Sequence, residues 1–282
     1  MKRTTFAIVG LGLIGSSLAA SIRRRFSSDR VIGFSRDSKK IKLAKKKGFI
    51  HEGFSDLARA VSTADLIFVC SPVDTIPHLI SKIDRYAKKG AVVTDVGSTK
   101  KTIVHWAACK HFRKIEFVGS HPLAGSHLTG MEHAKANLFQ GAFVFVTPFG
   151  RSSRQPTRII SSFWKKVGAQ VQIITPTAHD KIVSEISHLP HIIASILVHV
   201  VSGKSLRYAA SGFLDTTRVA QGDPRLWVPI FITNDKNLIM DLTHFSNSLY
   251  KFISFLKRGS SRSIQNFLKL AARKRSKIVQ SA

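Results

Sequence analysis

Phe6-Ala7-Ile8-Val9 is a short apolar run. It leads directly into Gly10-Leu11-Gly12-Leu13-Ile14-Gly15, and helical spacing follows through Ser16–Arg25. No other feature restricts the fold as much. In a strand–glycine turn–helix, Gly10 permits the tight turn, Gly12 lets the backbone approach a pyrophosphate and Gly15 allows the helix to pack close to the strand. The helix N-terminus, with Leu13 and Ile14 at its opening, then faces the phosphates. A glycine triplet alone is a weak sign; its place after a β-rich run and before a helix supplies the confirming context.

The same alternation continues downstream. Strands are predicted at Phe6–Val9, Val31–Phe34, Leu66–Cys70, Ala91–Asp95, Glu116–Ser120 and Phe143–Thr147, with helices such as Ser16–Arg25 and Ser38–Lys47 between them. Several strands are unbroken apolar runs, the pattern of parallel strands buried on both faces. A further strand–helix–strand piece follows, with a helix over Gln155–Val167 and a strand over Gln170–Ile174. From Ala178 onward apolar residues recur at helical spacing, through Ile182, Val183, Ile186, Ile193, Leu197 and Val200 and again from Leu238 to Leu256. The fold class expected is α/β: a Rossmann-type doubly wound sheet over residues 1–175, then an all-α substrate-binding and dimerisation domain over 176–282. Helices this apolar require a partner, either the first domain or a second copy of the chain.

The 282 residues carry 44 Lys+Arg against 16 Asp+Glu, a formal charge of +28, with no acidic residue after Asp241. Such a balance attracts anionic substrates and raises nucleic acid as a partner. No basic-aromatic RNA motif, zinc finger or basic-zipper pattern accompanies it, so nucleic-acid binding stands as the rival reading from a different class. Cys70 and Cys109 make neither a disulfide framework nor a metal cluster, which points to a reducing cytoplasm. The longest apolar stretch, Ile192–Val201, is too short to span a bilayer and contains His199. Met1 runs almost directly into a strand, so neither a signal nor a transit peptide is expected.

The end of the second strand selects the cofactor. An acidic residue there binds the ribose 2′-hydroxyl of NAD. This chain reads Gly33-Phe34-Ser35-Arg36-Asp37. Ser35 stands where the acid is expected, and Arg36 can stack on adenine and grip a 2′-phosphate. NADP is the expectation; a register shift of two residues would make Asp37 the acid and NAD the cofactor. Ser71 and Pro72, just past the Leu66–Cys70 strand, lie at the same carboxyl edge and are further candidate cofactor contacts.

Ala91–Asp95 runs into Val96-Gly97-Ser98-Thr99-Lys100, again a carboxyl-end loop, and the next strand leads to His121. The two loops are expected to bring Ser98 and His121 beside a nicotinamide, where a neutral imidazole accepts an alcohol proton as hydride leaves and a serine hydroxyl orients the same oxygen. In the helical half, Ser187-His188-Leu189-Pro190-His191 puts Ser187 and His191 four apart on one helix face, with Pro190 expected to kink the helix. No HExxH or cysteine partner supports a metal there. Asp215 and Arg218 can pair with each other; alternatively Arg218 offers its planar fork to a substrate carboxylate while Asp215 orients it.

Taken in order, these blocks resemble the prephenate/arogenate dehydrogenase family of tyrosine biosynthesis. The matching pieces are Gly10–Gly15, Asp95 with Gly97-Ser98-Thr99-Lys100, His121-Pro122-Leu123-Ala124-Gly125, Asn137-Leu138-Phe139, Thr147-Pro148, Ser187–His191 and Asp215 through Trp227. The resemblance covers nearly the whole chain. It implies oxidative decarboxylation of a cyclohexadienol, with His121 as base, Ser98 assisting and Arg218 holding a carboxylate. It also implies that His191 and Ser187 face the substrate side chain, that Asp215 and Trp227 shape the pocket, and that the helical domains form a homodimer. Many relatives carry glutamate where this chain has His127, a change that favours the keto acid prephenate over the amino acid arogenate. A hydroxyacid dehydrogenase or imine reductase would share the fold and cofactor but lack the Ser187–His191 and Asp215–Arg218 blocks.

Overall fold

The computed structural model describes residues 3–124, 130–150 and 154–278. The six strands β1 (Thr5–Val9), β2 (Arg30–Phe34), β3 (Glu52–Phe54), β4 (Leu66–Val69), β5 (Ala91–Asp95) and β6 (Ile115–Phe117) form one sheet in the order β3-β2-β1-β4-β5-β6. Every pairing is parallel. The strand order reverses between β1 and β4, so a crevice opens there at their carboxyl ends, the place where such sheets bind ligands. Helices α1 (Leu13–Arg25), α2 (Ser38–Lys46), α3 (Leu57–Val61), α4 (Ile76–Tyr86) and α5 (Lys101–Ala108) connect the strands. Burial on both faces explains the unbroken apolar strands: Ile8, Ile67, Phe68 and Val93 are each fully buried.

The structure divides one predicted strand in two. Instead of one strand over Glu116–Ser120, β6 ends at Phe117 and β7 (Gly119–Pro122) begins a second sheet with β8 (Phe143–Thr147) and β9 (Gln170–Ile173). β7 runs antiparallel to β8, and β8 parallel to β9, which α6 (Arg154–Lys166) connects. Gly119 makes the crossing possible. A Cβ there would lie 2.5 Å from Thr147 Oγ1 and 3.0 Å from a Val104 methyl, so only a bare backbone passes between the sheets. Trp164 of α6, fully buried beside Phe139, Phe163 and Phe68, fills the space beneath.

The rest of the chain is helical. A single 25-residue run from Pro176 to Val200 comprises α7 (Pro176–Val183), a π-helical turn over Ser184–His188 and α8 (Leu189–Val200). This run is longer than the apolar stretch visible in the sequence, and by length and composition alone it suffices to cross a membrane. It also carries His179, Asp180, His188 and His191, all buried against other polar or aromatic groups. α9 (Gly203–Leu206), α10 (Ser211–Thr217), a 3-10 turn at Arg218–Gln221, α11 (Pro224–Thr233), α12 (Asp235–Lys257) and α13 (Ser261–Ser276) follow. α13 buries none of its residues, and α12 buries only Leu238.

Candidate active site

The glycine turn has the shape its sequence requires. Gly10 adopts φ +112, and a Cβ there would collide with the Cys70 carbonyl oxygen at 2.2 Å. At Gly15 a Cβ would meet the Gly10 carbonyl oxygen at 1.9 Å, so the turn and α1 interlock. Gly12 differs: nothing lies within 4 Å of its missing side chain. It is also the N-cap of α1 and provides no side-chain cap, so the first-turn N–H groups at Leu13 and Ile14 have no intrahelical or capping partner. A pyrophosphate fits that arrangement.

Ser35 follows the last residue of β2 and is buried, its hydroxyl accepting the Asp37 N–H at 3.2 Å. Asp37 is already committed: it caps α2 by accepting the Lys39 N–H at 2.8 Å. Arg36 is exposed beside them. Ser71 and Pro72 lie past the end of β4, where Thr75 donates to the Ser71 hydroxyl at 2.9 Å and to the Pro72 carbonyl at 2.7 Å.

His121 sits on β7, half-buried, directly across from Phe145. Its Nδ1 lies 2.9 Å from Nε2 of His179, and Nδ1 of His179 lies 2.7 Å from Oδ1 of Asp180. Asp180 also accepts the backbone N–H groups of Lys100 at 2.7 Å and Lys101 at 2.9 Å. Burial opposes ionisation of Asp180, but the bonds from His179 and these two amides outweigh it and hold the carboxyl below its usual range. A carboxylate only accepts, so His179 must carry its proton on Nδ1. Nε2 of His179 is then bare and accepts Nδ1–H of His121. The tautomers are fixed in sequence, and Nε2 of His121, without a hydrogen-bond partner among the described residues, is left as the basic nitrogen. Burial, then the proximity of His179 and the Lys100 ammonium, hold its pKa well below the ordinary imidazole value.

This chain also brings the two loops of the sequence reading together. Ser98 is half-buried in the 96–100 loop after β5. Asp180 grips the end of that loop while its neighbour His179 grips β7. Below the loop, Lys100 forms an ion pair with Asp95, both fully buried, and Asp95 Oδ2 accepts the Gly97 N–H at 2.9 Å. Ser120 is buried among Thr94, Trp164 and the Asp95 carbonyl.

In the helical half, the expected regular spacing of Ser187 and His191 is corrected: Ser187 belongs to the π-turn over Ser184–His188, whereas His191 lies in α8. Pro190 follows it at the second position of α8, so the π-turn accommodates the proline without breaking the 25-residue run. His188 is buried, with Nδ1 3.2 Å from the Asn234 side-chain amide, which also donates to the Asp180 carbonyl at 2.8 Å. Burial pushes the His188 pKa down to about 4. His191 stacks on Trp227, and burial lowers its pKa as well. Ser187 is half-buried; Asp215, on α10, and Arg218, in the turn packed against α8, are exposed. His127 lies outside the described residues. His179, Asp180 and the bridging role of Asn234 were not singled out in the sequence; a His-Asp pair early in an amphipathic helix was the signal available.

The chain is similar throughout to proteins of known activity. Residues 18–173 match the family pattern "Prephenate dehydrogenase, nucleotide-binding domain", and residues 175–270 match "Prephenate dehydrogenase, dimerization domain". It is 30% identical to the prephenate dehydrogenase of Bacillus subtilis (strain 168) over 279 residues, 95% of this chain and 74% of that one. The structure superimposes with TM-score 0.92 and 30% identity on Aquifex aeolicus prephenate dehydrogenase in complex with hydroxyphenyl propionate and NAD+, covering 99% of each chain. Synechocystis arogenate dehydrogenase aligns with TM-score 0.82 and 30% identity, over 98% of this chain and 100% of that one. The chain belongs to the prephenate dehydrogenase family.

Proposed function

We propose that this chain oxidises and decarboxylates prephenate, giving 4-hydroxyphenylpyruvate, with NADP as its preferred hydride acceptor. The observation that carries the reading is the Asp180–His179–His121 chain, which leaves a bare imidazole nitrogen at the carboxyl edge of a dinucleotide fold. The bound nicotinamide supplies the electron sink that accepts the hydride. Everything else is done by this chain's own groups. His121 Nε2 accepts the hydroxyl proton of the cyclohexadienol, and Ser98 orients that oxygen. Arg218 holds a substrate carboxylate, Asp215 steadies Arg218, and His191 with Ser187 meets the side chain against the wall formed by Trp227. Loss of the ring carboxylate as carbon dioxide then yields an aromatic ring, which makes the reaction effectively irreversible.

Two features support NADP. Ser35 replaces the acid expected at the end of β2, and Asp37 is committed to capping α2. Arg36 and the exposed lysines of α2 give that end of the site a positive field suited to a 2′-phosphate. His127, in place of an acid, favours the keto side chain of prephenate over the ammonium of arogenate. The exposed apolar residues of the last two helices, among them Ile239, Leu249, Tyr250, Leu268 and Leu270, support a homodimer closed through this half. The test is reduced-nicotinamide formation with prephenate and arogenate, each with NADP and NAD, beside a His121→Asn variant. Activity that is highest with prephenate and NADP and collapses in the variant is expected. Turnover of arogenate much faster than prephenate would overturn the substrate assignment, and inactivity of folded protein on all four pairings would overturn the reaction.

A further inference from the structure

The proposed reaction has an unusual proton balance. Oxidising the cyclohexadienol releases a hydroxyl proton, yet the product is a phenol, whose pKa lies near 10, so the oxygen needs that proton back. No net proton leaves the site. The enzyme needs a place to keep one proton for the life of a ring-ketone intermediate, sheltered from water.

We propose that His179, backed by Asp180, is that place: a buried proton store on the far side of His121. The proposal rests on the reaction assigned above. As hydride departs from the ring carbon, the hydroxyl O–H bond breaks and the proton moves to His121 Nε2, while the proton on His121 Nδ1 crosses 2.9 Å to His179 Nε2. His179 is then an imidazolium held 2.7 Å from the Asp180 carboxylate, and His121 is neutral again beside the ketone. The carbon–carbon bond to the ring carboxylate breaks next. Carbon dioxide leaves, and its bonding electrons aromatise the ring and place a negative charge on the oxygen. That oxygen takes the proton from His121 Nε2, and His121 Nδ1 recovers its own from His179.

Three features suit His179 to hold the charge. It is fully buried, so water cannot exchange the stored proton. Asp180 stands against it, whereas the groups acting on His121 among the described residues, His179, the Lys100 ammonium and His188, all disfavour a charge on it. Asp180 itself is fixed by two backbone N–H groups from the 100–101 step, so it remains ionised in both halves of the cycle. Among the described residues, the charged and titratable groups facing the pair are Asp95 and Lys100 from β5 and its loop, Asp180 from α7 and His188 from the π-turn. Phe145 closes the remaining side, its ring centroid 5.4 Å from that of His179.

The first test needs no turnover. Nitrogen-15 NMR of the histidine-labelled protein reads the tautomers directly: His179 is expected to carry its proton on Nδ1 with Nε2 bare, and His121 likewise. A proton on Nε2 of His179 in the resting protein would leave no bare nitrogen facing His121 to receive its proton, and the proposal would fall. The second test uses His179→Asn, which still accepts a hydrogen bond from His121 but cannot take its proton. A fall in kcat of about tenfold or more is expected, with KM and cofactor affinity within about twofold of the parent. In mixtures of light and heavy water, kcat is expected to show a curved, two-proton dependence in the parent and a linear one in the variant. A linear dependence in the parent, or a variant that keeps both the parental kcat and the curvature, overturns the store. Asp180→Asn is expected to lower kcat in the same way and repeats the test should His179→Asn fail to fold. A parent inactive on prephenate and arogenate would instead count against the reaction and leave the tautomer result standing on its own.

Discussion

Trp227 stacks face to face on His191, with ring centroids 3.7 Å apart and planes inclined by 26°, and Gly222 provides the room for that pairing. A Cβ at residue 222 would lie 2.3 Å from Trp227 Nε1 and 2.8 Å from His191 Cε1. The glycine sits at φ −61, ψ 144, which any residue adopts, so its role is space and not backbone freedom. Gly222→Ala is therefore expected to push the two rings apart and cost about 1–3 kcal/mol through overpacking. Steady-state kinetics should show a higher substrate KM with unchanged cofactor affinity. An unaltered KM would mean that the stack does not touch the substrate.

An imidazole acts as a general base only when neutral, and His121 is the base proposed above. Burial, then His179 and the Lys100 ammonium, depress its pKa, so the active form persists to lower pH than a free imidazole would allow. The kcat/KM profile is expected to stay flat from pH 8 through 6.5 and to fall only below that. A half-loss centred at 6.5 or higher would contradict the depressed value.

Fold stability should follow the same histidines. His121, His179 and His188 all titrate lower in the folded chain than in the unfolded one. Between the two values the unfolded chain binds more protons, so stability is full above about 6.5 and is lost as pH falls from there. For His188 the window runs from about 6.5 to about 4 and amounts to at most about 3 kcal/mol. Chemical denaturation between pH 8 and 4.5 is expected to show a plateau, then a decline that His188→Gln reduces. A midpoint independent of pH over that range would exclude the linkage.

Much of this architecture was legible in the chain because the physics behind it is local. Parallel strands buried on both faces must be apolar throughout, so β1, β2, β4 and β5 were visible as runs; a glycine triplet at a strand end has few other uses. The three-residue β3 carries no such run, with all its residues only partly buried, and was missed. The break after Phe117 was also missed, because what separates β6 from β7 is the close passage of Gly119 past Thr147 and Val104, a contact between distant segments. The same holds for the site. His121 and Ser98 stand out as candidates from their places at predicted strand ends, whereas His179 and Asp180 look like ordinary polar residues on a helix. Only the packing of α7 against the 96–100 loop and β7 gives them a task.

Lys100 and Asp95 form an ion pair with both side chains fully buried. Removing one partner strands the other charge in a medium that cannot solvate it. Lys100→Met is expected to cost about 3–5 kcal/mol, and the double variant carrying Asp95→Asn as well should recover part of that loss, because no unpaired charge remains. Denaturant midpoints of the three proteins measure this. A double variant less stable than Lys100→Met would show that the carboxylate acts mainly through its bond to the Gly97 amide.

The cofactor assignment turns on one side chain. Ser35 stands at the end of β2 with its hydroxyl occupied by the Asp37 amide, and Asp37 is turned away to cap α2. A carboxylate at residue 35 would face the adenosine ribose, where it can accept from a 2′-hydroxyl but repels a 2′-phosphate. Ser35→Asp is thus expected to lower the KM for NAD and raise that for NADP, reversing an initial preference for the phosphorylated cofactor. Under the proposed NADP preference, in which the guanidinium holds the 2′-phosphate, Arg36→Ala should weaken NADP alone. Initial-rate measurements with both cofactors on the parent and the two variants decide the matter. A parent that favours NAD, with neither variant shifting the ratio, would place the 2′-position away from β2 and return the choice of cofactor to other parts of the loop.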